Sequence, residues 1–318
     1  MKKLTIPELA EELLAGDNYI MLTHRRPDGD TIGCAVALTR GLRALGKTAY
    51  VLENPQFTEK YRPYLEGLTV ERVPEQAVLV AVDIASEGLL PYSAIDYVNQ
   101  ITYRIDHHGS ASEFARQGYV DPEAAACGEI ILELLQTMEA PVDKKTAEAL
   151  YVAISTDTGC FRYSNTTANT LRAAALCKDF GADTFSVNQV MFLTKRLSRL
   201  KLDAYLTQTT EFYAGGLVAV SAIDNAIRQE LGITEDDIDD ISGFGREIEG
   251  VQIGVMLRQE GDWGKISVRT SPEYDASAIC ALLGGGGHKA AAGATVKGGI
   301  EEAKQAVMEA LKACGVEL

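Results

Sequence analysis

Residues 19–46 read YIMLTHRRPDGDTIGCAVALTRGLRALG. The apolar run at 19–23 predicts a buried strand, and the amphipathic run at 31–45 predicts a helix that ends at Gly46. The loop between them contains one histidine and two aspartates. This order of strand, polar loop and helix is typical of a parallel sheet that binds its ligand beyond the carboxyl ends of its strands.

The same alternation of strand and helix continues to about residue 180. Further strands are predicted at 48–52, 77–82 and 101–105, and further helices at 127–136, 144–154 and 168–178. Thr5 and Glu8 have the spacing of a capping box, which predicts a first helix near the N-terminus. We therefore predict an α/β domain over residues 1–185, with a mainly parallel β-sheet flanked by helices.

The second half of the chain has a different pattern. Residues 186–208 are polar and helical, and we predict that they form a linker. A smaller α+β domain that binds substrate is predicted at 209–318. Its strands are expected at 212–223, 251–259, 265–270 and 294–297, and its helices at 275–283 and 301–313.

Composition limits the class of protein. The 318 residues are 46% hydrophobic and 24% charged, which is typical of a soluble globular chain with one or two domains. The formal charge of −15 disfavours long duplex nucleic acid as a partner, because phosphate binding needs a basic surface. A short or small anionic substrate stays compatible with that charge, since metal ions and a few arginines can hold it.

Cysteine usage and hydropathy bear on the compartment. The six cysteines include no Cys-x-x-Cys pair, so a thiolate zinc site is not indicated. Residues 1–16 do not have the pattern of a signal peptide, and no apolar run is long enough to span a bilayer. We therefore expect a cytoplasmic protein with reduced thiols and no membrane partner.

The chain has only four histidines, and each lies in a motif of chemical character. His24 opens the first loop, His107 and His108 follow Asp106 at the end of a predicted strand, and His288 follows a run of glycines. Imidazole nitrogens combined with carboxylate oxygens suit Mn²⁺, Fe²⁺ or Zn²⁺. The sparing use of histidine, beside aspartates in three of these positions, favours a metal site.

Aspartates accompany these histidines at the ends of predicted elements. Asp28 and Asp30 lie in the first loop, Asp83 follows the strand at 77–82, and Asp157 ends a helix. Each has an ordinary alternative, because aspartates often cap helices and loops. However, the carboxyl ends of parallel strands meet at one edge of a sheet, so clusters at several strand ends are expected to converge.

Two histidines and four aspartates are enough to hold two divalent ions that share one carboxylate. Two such ions, roughly 3.5–4 Å apart, stabilise the attacking and the leaving oxygen in phosphoryl transfer. The candidate ligands therefore favour hydrolysis of a phosphate ester or anhydride.

The glycine run in the second half has two interpretations. The backbone N–H groups of residues 284–287 can form an anion-binding concavity, and His288 can donate to a phosphate or a base. The alternative is a flexible loop or a close-packed turn. Arg269, on a predicted strand, can make a bidentate phosphate contact, although a single arginine is more often a solvated surface residue.

These motifs resemble the DHH phosphoesterase superfamily over nearly the whole chain. The first domain has His-x-x-x-Asp-x-Asp, an aspartate at a strand end, Asp-His-His and Ser-Thr-Asp-Thr-Gly. The second has Gly-Gly-Gly-His followed by Ala-Ala-Gly, the mark of the DHH-associated domain. Their order and spacing are most similar to the bacterial members that act as oligoribonucleases and as phosphatases of 3′-phosphoadenosine 5′-phosphate (pAp).

The resemblance implies a role for each of these residues. Two divalent ions, Mn²⁺ by the usual preference of the superfamily, would share Asp83. Their ligands would be His24, Asp28, Asp30, Asp83, His107 and Asp157. The catalytic residues would be His108, facing the scissile phosphate, and Asp106, orienting a ligand imidazole. The residues that bind substrate would be Arg269, Gly285, Gly286, Gly287 and His288.

The implied activity is hydrolysis of short oligoribonucleotides to mononucleotides, or of pAp to AMP and phosphate. Three alternatives stay open. A phosphodiesterase for cyclic dinucleotides or linear pApA would use the same motifs. A manganese-dependent pyrophosphatase would share the first domain but lack the glycine-rich segment. A nucleotide-sensing regulatory module would have lost a metal ligand, whereas all the expected ligands are present. A homodimer is also left open.

Overall fold

Residues 1–109, 113–238 and 241–318 are described by a computed structural model. They fold as two units, Met1–Thr194 and Lys195–Leu318. Within the described residues, no helix is both long and apolar enough to cross a membrane.

The first unit is built on a seven-stranded parallel sheet. Its strands are β1 (Lys2–Lys3), β2 (Tyr19–Leu22), β3 (Ala49–Leu52), β4 (Thr69–Val70), β5 (Val78–Val82), β6 (Ile101–Asp106) and β7 (Gln117–Val120). They lie in the order β1-β7-β6-β5-β2-β3-β4. The chain winds outwards from β2 in one direction and from β5 in the other, so the switch point of the sheet lies between β2 and β5. Ligands of open α/β sheets bind at such a point.

The sequence predicted the longer helices of the first unit, whereas the short helix at Arg62–Leu65 was not predicted. The helices are α1 (Ile6–Ala15), α2 (Gly29–Ala44), α3 (Arg62–Leu65), α4 (Cys127–Thr137), α5 (Lys144–Asp157), α6 (Ala168–Asp179) and α7 (Thr184–Asn188). The predicted capping box at the start of α1 is present, and Gly46 takes a left-handed φ of +80° after α2. The predicted α/β domain with a mainly parallel sheet is confirmed.

The two faces of this sheet bury different partners. Val80 and Val82 of β5 pack in the larger core with the helices. Leu79 and Ala81, which alternate with them, pack in a smaller core with Ile84, Leu90 and Ala94 of the segment that follows β5. Short 3₁₀ turns at Glu87–Leu89 and Ile95–Gln100 shape this segment. It therefore lies over the sheet directly beside the switch point.

The second unit is an α+β fold with a mixed six-stranded sheet. Its strands are β8 (Glu211–Tyr213), β9 (Val218–Ile223), β10 (Ile253–Glu260), β11 (Trp263–Thr270), β12 (Gly286–His288) and β13 (Ala291–Lys297). Its helices are α8 (Leu197–Thr209), α9 (Asn225–Leu231), α10 (Ala276–Ala281) and α11 (Ile300–Ala313), with 3₁₀ turns at Ala214–Gly216, Glu235–Ile238 and Ile241–Glu247. The predicted hairpin between β10 and β11 is confirmed.

Three parts of the second half differ from the prediction. The single strand expected at 212–223 is a hairpin of β8 and β9, because Gly215 and Gly216 adopt positive φ and form a turn. The helical stretch expected at 186–208 is interrupted: a π-helical turn at Gln189–Leu193 precedes residues 194–196, which are not helical. The glycine run, expected as a loop, contributes the edge strand β12.

Candidate metal centre

The loop after β2 brings an imidazole and a carboxylate together. Asp28 caps α2, since its Oδ1 accepts hydrogen bonds from the backbone N–H groups of Asp30 (3.0 Å) and Thr31 (3.2 Å). Its Oδ2 lies 3.4 Å from Nε2 of His24. The capping and ligand interpretations of Asp28 are therefore compatible, because each uses a different oxygen.

Asp83 lies at the centre of the cluster, immediately after β5. It is 3% exposed and adopts a left-handed φ of +55°, which is uncommon for a residue other than glycine. Its Oδ2 is 3.9 Å from Nε2 of His24, and its Oδ1 is 3.5 Å from Nε2 of His107. Within the described part of the chain, this buried Oδ1 has no hydrogen-bond partner. A buried carboxylate oxygen without a partner is costly unless a cation binds it.

His107 directs one ring nitrogen into the cluster. Its Nδ1 lies 3.1 Å from the carbonyl oxygen of Ala124, to which it can donate a hydrogen bond. That contact leaves the lone pair of Nε2 for a metal. Nε2 lies 3.3 Å from Asp157, 3.5 Å from Asp83 and 3.8 Å from Asp30.

Asp30 is fully buried and anchors a second helix. Its Oδ2 accepts from the backbone N–H of Cys127 at 2.7 Å, and its Oδ1 accepts from Gly128 at 2.9 Å. These residues begin α4, whose own N-cap residue, Ala126, makes no side-chain cap. Asp30 therefore satisfies the free N–H groups of α4 from α2, while Oδ2 also faces His107.

Asp106 positions the other histidine of its motif. Its Oδ1 accepts from Nδ1 of His108 at 2.8 Å, and Arg104 donates to its Oδ2. The expectation from the resemblance was that Asp106 orients a ligand imidazole. In the structure it holds the ring of His108, whereas it contacts His107 only through the backbone N–H (2.8 Å), because Ala124 already occupies Nδ1 of that ring.

The electrostatics of the cluster call for a cation. Burial, and then repulsion from neighbouring carboxylates, raises the pKa of Asp30, Asp83 and Asp157. Asp157 is also the last residue of α5, where the helix dipole disfavours a negative charge. The hydrogen bond to Asp106 is the main cause that raises the pKa of His108.

The donor set fits divalent metal ions. Three overlapping groups have ligand atoms within 4.8 Å of one another: Asp83, His107 and His108; His24, Asp28 and Asp83; Asp30, His107 and Asp157. Asp83 belongs to two of them. Mixed imidazole and carboxylate donors suit Mn²⁺, Fe²⁺ or Zn²⁺. All six predicted ligands thus lie in one cluster, although their roles as ligands stay predictions.

A cavity of about 490 Å³ opens onto the cluster. It is lined by His24, Arg25, Arg26, Asp28, Gln56, Asp83, Ala85, Leu89, Tyr92, His108 and Asp157. The sequence did not predict a role for Arg25, Arg26, Gln56, Ala85, Leu89 or Tyr92. The two arginines follow His24 directly, a signal that was visible in the motif. Leu89 and Tyr92 had none, since only the path of the chain after β5 brings them to the cavity.

The predicted substrate residues of the second unit form a row across three strands. Ala291 of β13 pairs with Arg269 of β11 on one side and with His288 of β12 on the other. Residues paired in this way project from the same face of a sheet. Val268 and Ala292, the neighbours of Arg269 and Ala291 along their strands, lie in the core with α10 and α11. Arg269, Ala291 and His288 therefore project from the opposite face of the sheet. His288 is exposed, and Arg269 is held by Ser242 at 3.0 Å.

The glycines of the run have unequal constraints. A Cβ on Gly285 would lie 2.2 Å from the carbonyl oxygen of Gly293, and a Cβ on Gly287 would lie 2.6 Å from that of Ala291. A Cβ on Gly286 would meet no atom within 4 Å. Close packing therefore accounts for Gly285 and Gly287, whereas Gly286 lies open on the edge strand.

Comparison with known proteins identifies both halves of the chain. Residues 18–154 match the DHH family, N-terminal domain, and residues 215–315 match the DHHA1 domain. The chain has the fold of an exopolyphosphatase-related protein from Bacteroides fragilis, with a TM-score of 0.85 and 22% identity over 97% of this chain and 96% of that one.

Two curated relatives are similar over almost all of the chain. The cyclic-di-AMP phosphodiesterase PdeA of Listeria monocytogenes is 27% identical over 96% of this chain, which spans only 49% of that protein. The bifunctional oligoribonuclease and PAP phosphatase NrnA of Thermus thermophilus is 35% identical over 313 residues, covering 96% of this chain and 92% of that protein. The 35% identity to NrnA, along nearly the whole of that protein and of this chain, shows that the chain belongs to the DHH family.

Proposed function

We propose that this protein is a metal-dependent phosphoesterase that hydrolyses short oligoribonucleotides to mononucleotides and pAp to AMP and phosphate. The observation that carries the proposal is the convergence of buried carboxylates and imidazoles on Asp83, whose Oδ1 is without a hydrogen-bond partner among the described residues. The Thermus thermophilus relative is named for these same two activities.

Two Mn²⁺ ions are the proposed cofactors. His24 and Asp28 would hold one ion, and Asp30, His107 and Asp157 would hold the other. Asp83 would be available to both, because it belongs to more than one of the candidate groups. Each of these residues offers a donor atom in a group that spans no more than 4.8 Å. When bound, such ions neutralise the charge that develops on the phosphate and the leaving oxygen during hydrolysis.

His108 is the proposed catalytic partner of the metal centre. Its Nδ1 is engaged by Asp106, which Arg104 fixes from the other side, so the ring has one preferred orientation. The side chain is 34% exposed and lines the cavity. Nε2 can therefore donate a hydrogen bond to a phosphate oxygen, and Asp106 acts by positioning the ring.

The second unit contributes a proposed binding row for the substrate. Arg269 and His288 project from one face of the sheet with the small residue Ala291 between them. A guanidinium and an imidazole on the same face of a sheet suit a phosphate and the sugar or base attached to it. Exposed backbone N–H groups of the edge strand, around Gly286, would add neutral donors.

A second candidate substrate class is cyclic dinucleotides and their linear product pApA. The similarity to the Listeria monocytogenes phosphodiesterase favours it, although this chain spans about half of that protein. A nucleotide-sensing module without activity is disfavoured, because all six proposed ligands are present and clustered.

A substrate panel tests the proposal. The purified protein is incubated with Mn²⁺ and RNA dimers to pentamers, pAp, pApA or cyclic di-AMP, and the release of phosphate or mononucleotide is measured. We expect turnover of short RNA and pAp, loss of turnover with EDTA and its recovery with Mn²⁺. Rapid hydrolysis of cyclic di-AMP alone would support the second class, and no hydrolysis of any ester would refute the proposal.

We also propose a cytoplasmic location, and a homodimer is possible. No disulfide joins the cysteines of the described residues, which is consistent with a reducing compartment. Cell fractionation tests the location. Sedimentation tests the oligomeric state, and a monomer at micromolar concentration would contradict a stable dimer.

A further inference from the structure

The segment after β5 presents an exposed aromatic ring on a fixed backbone. Leu90 and Ala94 are both fully buried in the smaller core of the first unit. Tyr92 lies between them and is 68% exposed. Leu89, immediately before this anchored stretch, is 46% exposed. Neighbours on both sides therefore fix the position of Tyr92 while the core buries little of its side chain.

Arg25 supports this ring from the metal loop. Its backbone N–H donates to the carbonyl oxygen of Leu89 at 2.6 Å, and its Nε donates to that of Leu90 at 3.4 Å. Its guanidinium carbon lies 4.5 Å from the centroid of the Tyr92 ring. A cation at this distance is attracted to the ring face. The residue that follows the ligand His24 is therefore coupled directly to Tyr92.

The cavity of the metal centre has an apolar wall at this position. Leu89 and Tyr92 line it together with Asp83, His108 and Arg25. A phosphate or a ribose gains little from a leucine and a phenol ring, whereas a nucleobase can stack on them. Exposed aromatic side chains of this kind bind bases through their π faces, with little dependence on base identity. Because Leu89 and Tyr92 lie close to the proposed metal ligands, the base that reaches them belongs to the nucleotide whose phosphate is held at the metal centre.

We propose that Leu89 and Tyr92, with Arg25 against the tyrosine ring, form a platform on which a nucleobase of the substrate stacks. We call these three residues the Tyr92 platform. The inference rests on the proposed function, because it assumes that a nucleotide phosphate occupies the metal centre. The platform adds that the protein binds the base of the substrate as well as its phosphate, and that it accepts any base.

Binding of AMP and of ribose 5-phosphate, measured by calorimetry in the presence of Mn²⁺, tests the platform. The two ligands share the phosphate and the sugar and differ in the base. Loss of one base stack weakens binding roughly 5- to 100-fold. We therefore expect Tyr92→Ala to weaken AMP binding within this range and to leave ribose 5-phosphate binding unchanged. Tyr92→Phe keeps the ring and should bind AMP as the wild type does.

Ile95→Ala is the matched control. Ile95 belongs to the same segment and is 45% exposed, but it is not among the residues that line the cavity. It should leave the affinity for both ligands unchanged. Equal weakening of AMP and ribose 5-phosphate by Tyr92→Ala, or unchanged AMP binding, would overturn the platform, as would a wild type that binds both ligands equally. These readouts need no turnover, so an absence of hydrolysis would refute the proposed function without deciding the platform.

Discussion

Replacing Asp83 by asparagine should stabilise the metal-free protein and remove its response to Mn²⁺. Asp83 is 3% exposed, faces two imidazoles and lies among other buried carboxylates. Asparagine keeps its size and tolerates the left-handed backbone conformation at φ +55°. The substitution therefore removes a charge and changes little else.

The magnitude follows from the spacing of the carboxylates. The ligand atoms of Asp28 and Asp83 lie within 4.8 Å of each other. Two like charges about 5 Å apart repel by about 3 kcal/mol at an effective dielectric constant near 20. Uptake of a proton relieves part of this repulsion, so we expect a gain of roughly 1–2 kcal/mol. For a unit of this size, that gain raises the midpoint of thermal unfolding by roughly 2–8 °C.

Thermal unfolding with EDTA and with Mn²⁺ measures both effects. In the wild type, Mn²⁺ at a hundred times its dissociation constant should add about 2.7 kcal/mol of stability. The variant should gain almost nothing. The two proteins are thus expected to exchange rank, with Asp83→Asn more stable in EDTA and the wild type more stable in Mn²⁺.

The alternative role of Asp83 as an ordinary loop cap makes the opposite prediction. A variant less stable than the wild type in EDTA, with the same gain from Mn²⁺, would refute the metal-centre interpretation. Asp143→Asn is the matched control. Asp143 caps α5 through Thr146 (2.8 Å) and pairs with Arg40 (2.6 Å), so its loss should lower stability and leave the Mn²⁺ response unchanged.

Three further outcomes are expected. His107→Ala should stay folded but lose Mn²⁺ affinity in calorimetry, because Nε2 faces three carboxylates. Its turnover of pAp should fall at least a hundredfold, and normal turnover would contradict a ligand role for His107. Burial raises the pKa of Asp143, but hydrogen bonds from Arg40 and Thr146 outweigh it and lower the pKa to about 2. In thermal melts, the stability difference between the wild type and Asp143→Asn should therefore be present above about pH 4 and be lost as the pH falls through about 2. Gly285→Ala should destabilise the second unit by about 1–3 kcal/mol in urea unfolding, since its Cβ would lie 2.2 Å from a carbonyl oxygen. Gly286→Ala should not destabilise it, and equal effects of the two substitutions would be inconsistent with the packing of the glycine run against β13.

The convergence of the candidate ligands could be predicted because it follows from strand order. Asp83 follows β5 and Asp106 ends β6, and parallel strands place such ends at one edge of the sheet. The sequence could not predict which partner orients each imidazole. Ala124 provides a backbone carbonyl to His107 from 17 positions along the chain, and a carbonyl leaves no trace in residue type.

The missed elements have physical reasons as well. Glycine has low strand propensity, so β12 could not be recognised in residues 284–288. Pairing with β13 outweighs that propensity, because the missing side chains of Gly285 and Gly287 allow close approach. Tyr92 was missed because nothing in its local sequence separates an exposed tyrosine at a cavity from any other surface tyrosine.

The contacts of the four aspartates divide the proposed ligands into those that also stabilise a helix and those that do not. Asp28 caps α2 and Asp30 caps α4, so helix N-termini offset part of their charge. Loss of activity in variants of either residue would therefore mix loss of metal with damage to a helix. The side chain of Asp157 faces His107 at 3.3 Å from the C-terminal end of α5, where a carboxylate weakens the helix. The stability of the metal-free protein should thus fall in Asp30→Asn and rise in Asp157→Asn, although both variants lose a proposed ligand. The two changes in stability have opposite signs because Asp30 lies at the N-terminus of α4 and Asp157 at the C-terminus of α5. Unfolding measurements alone can therefore distinguish the two kinds of proposed ligand.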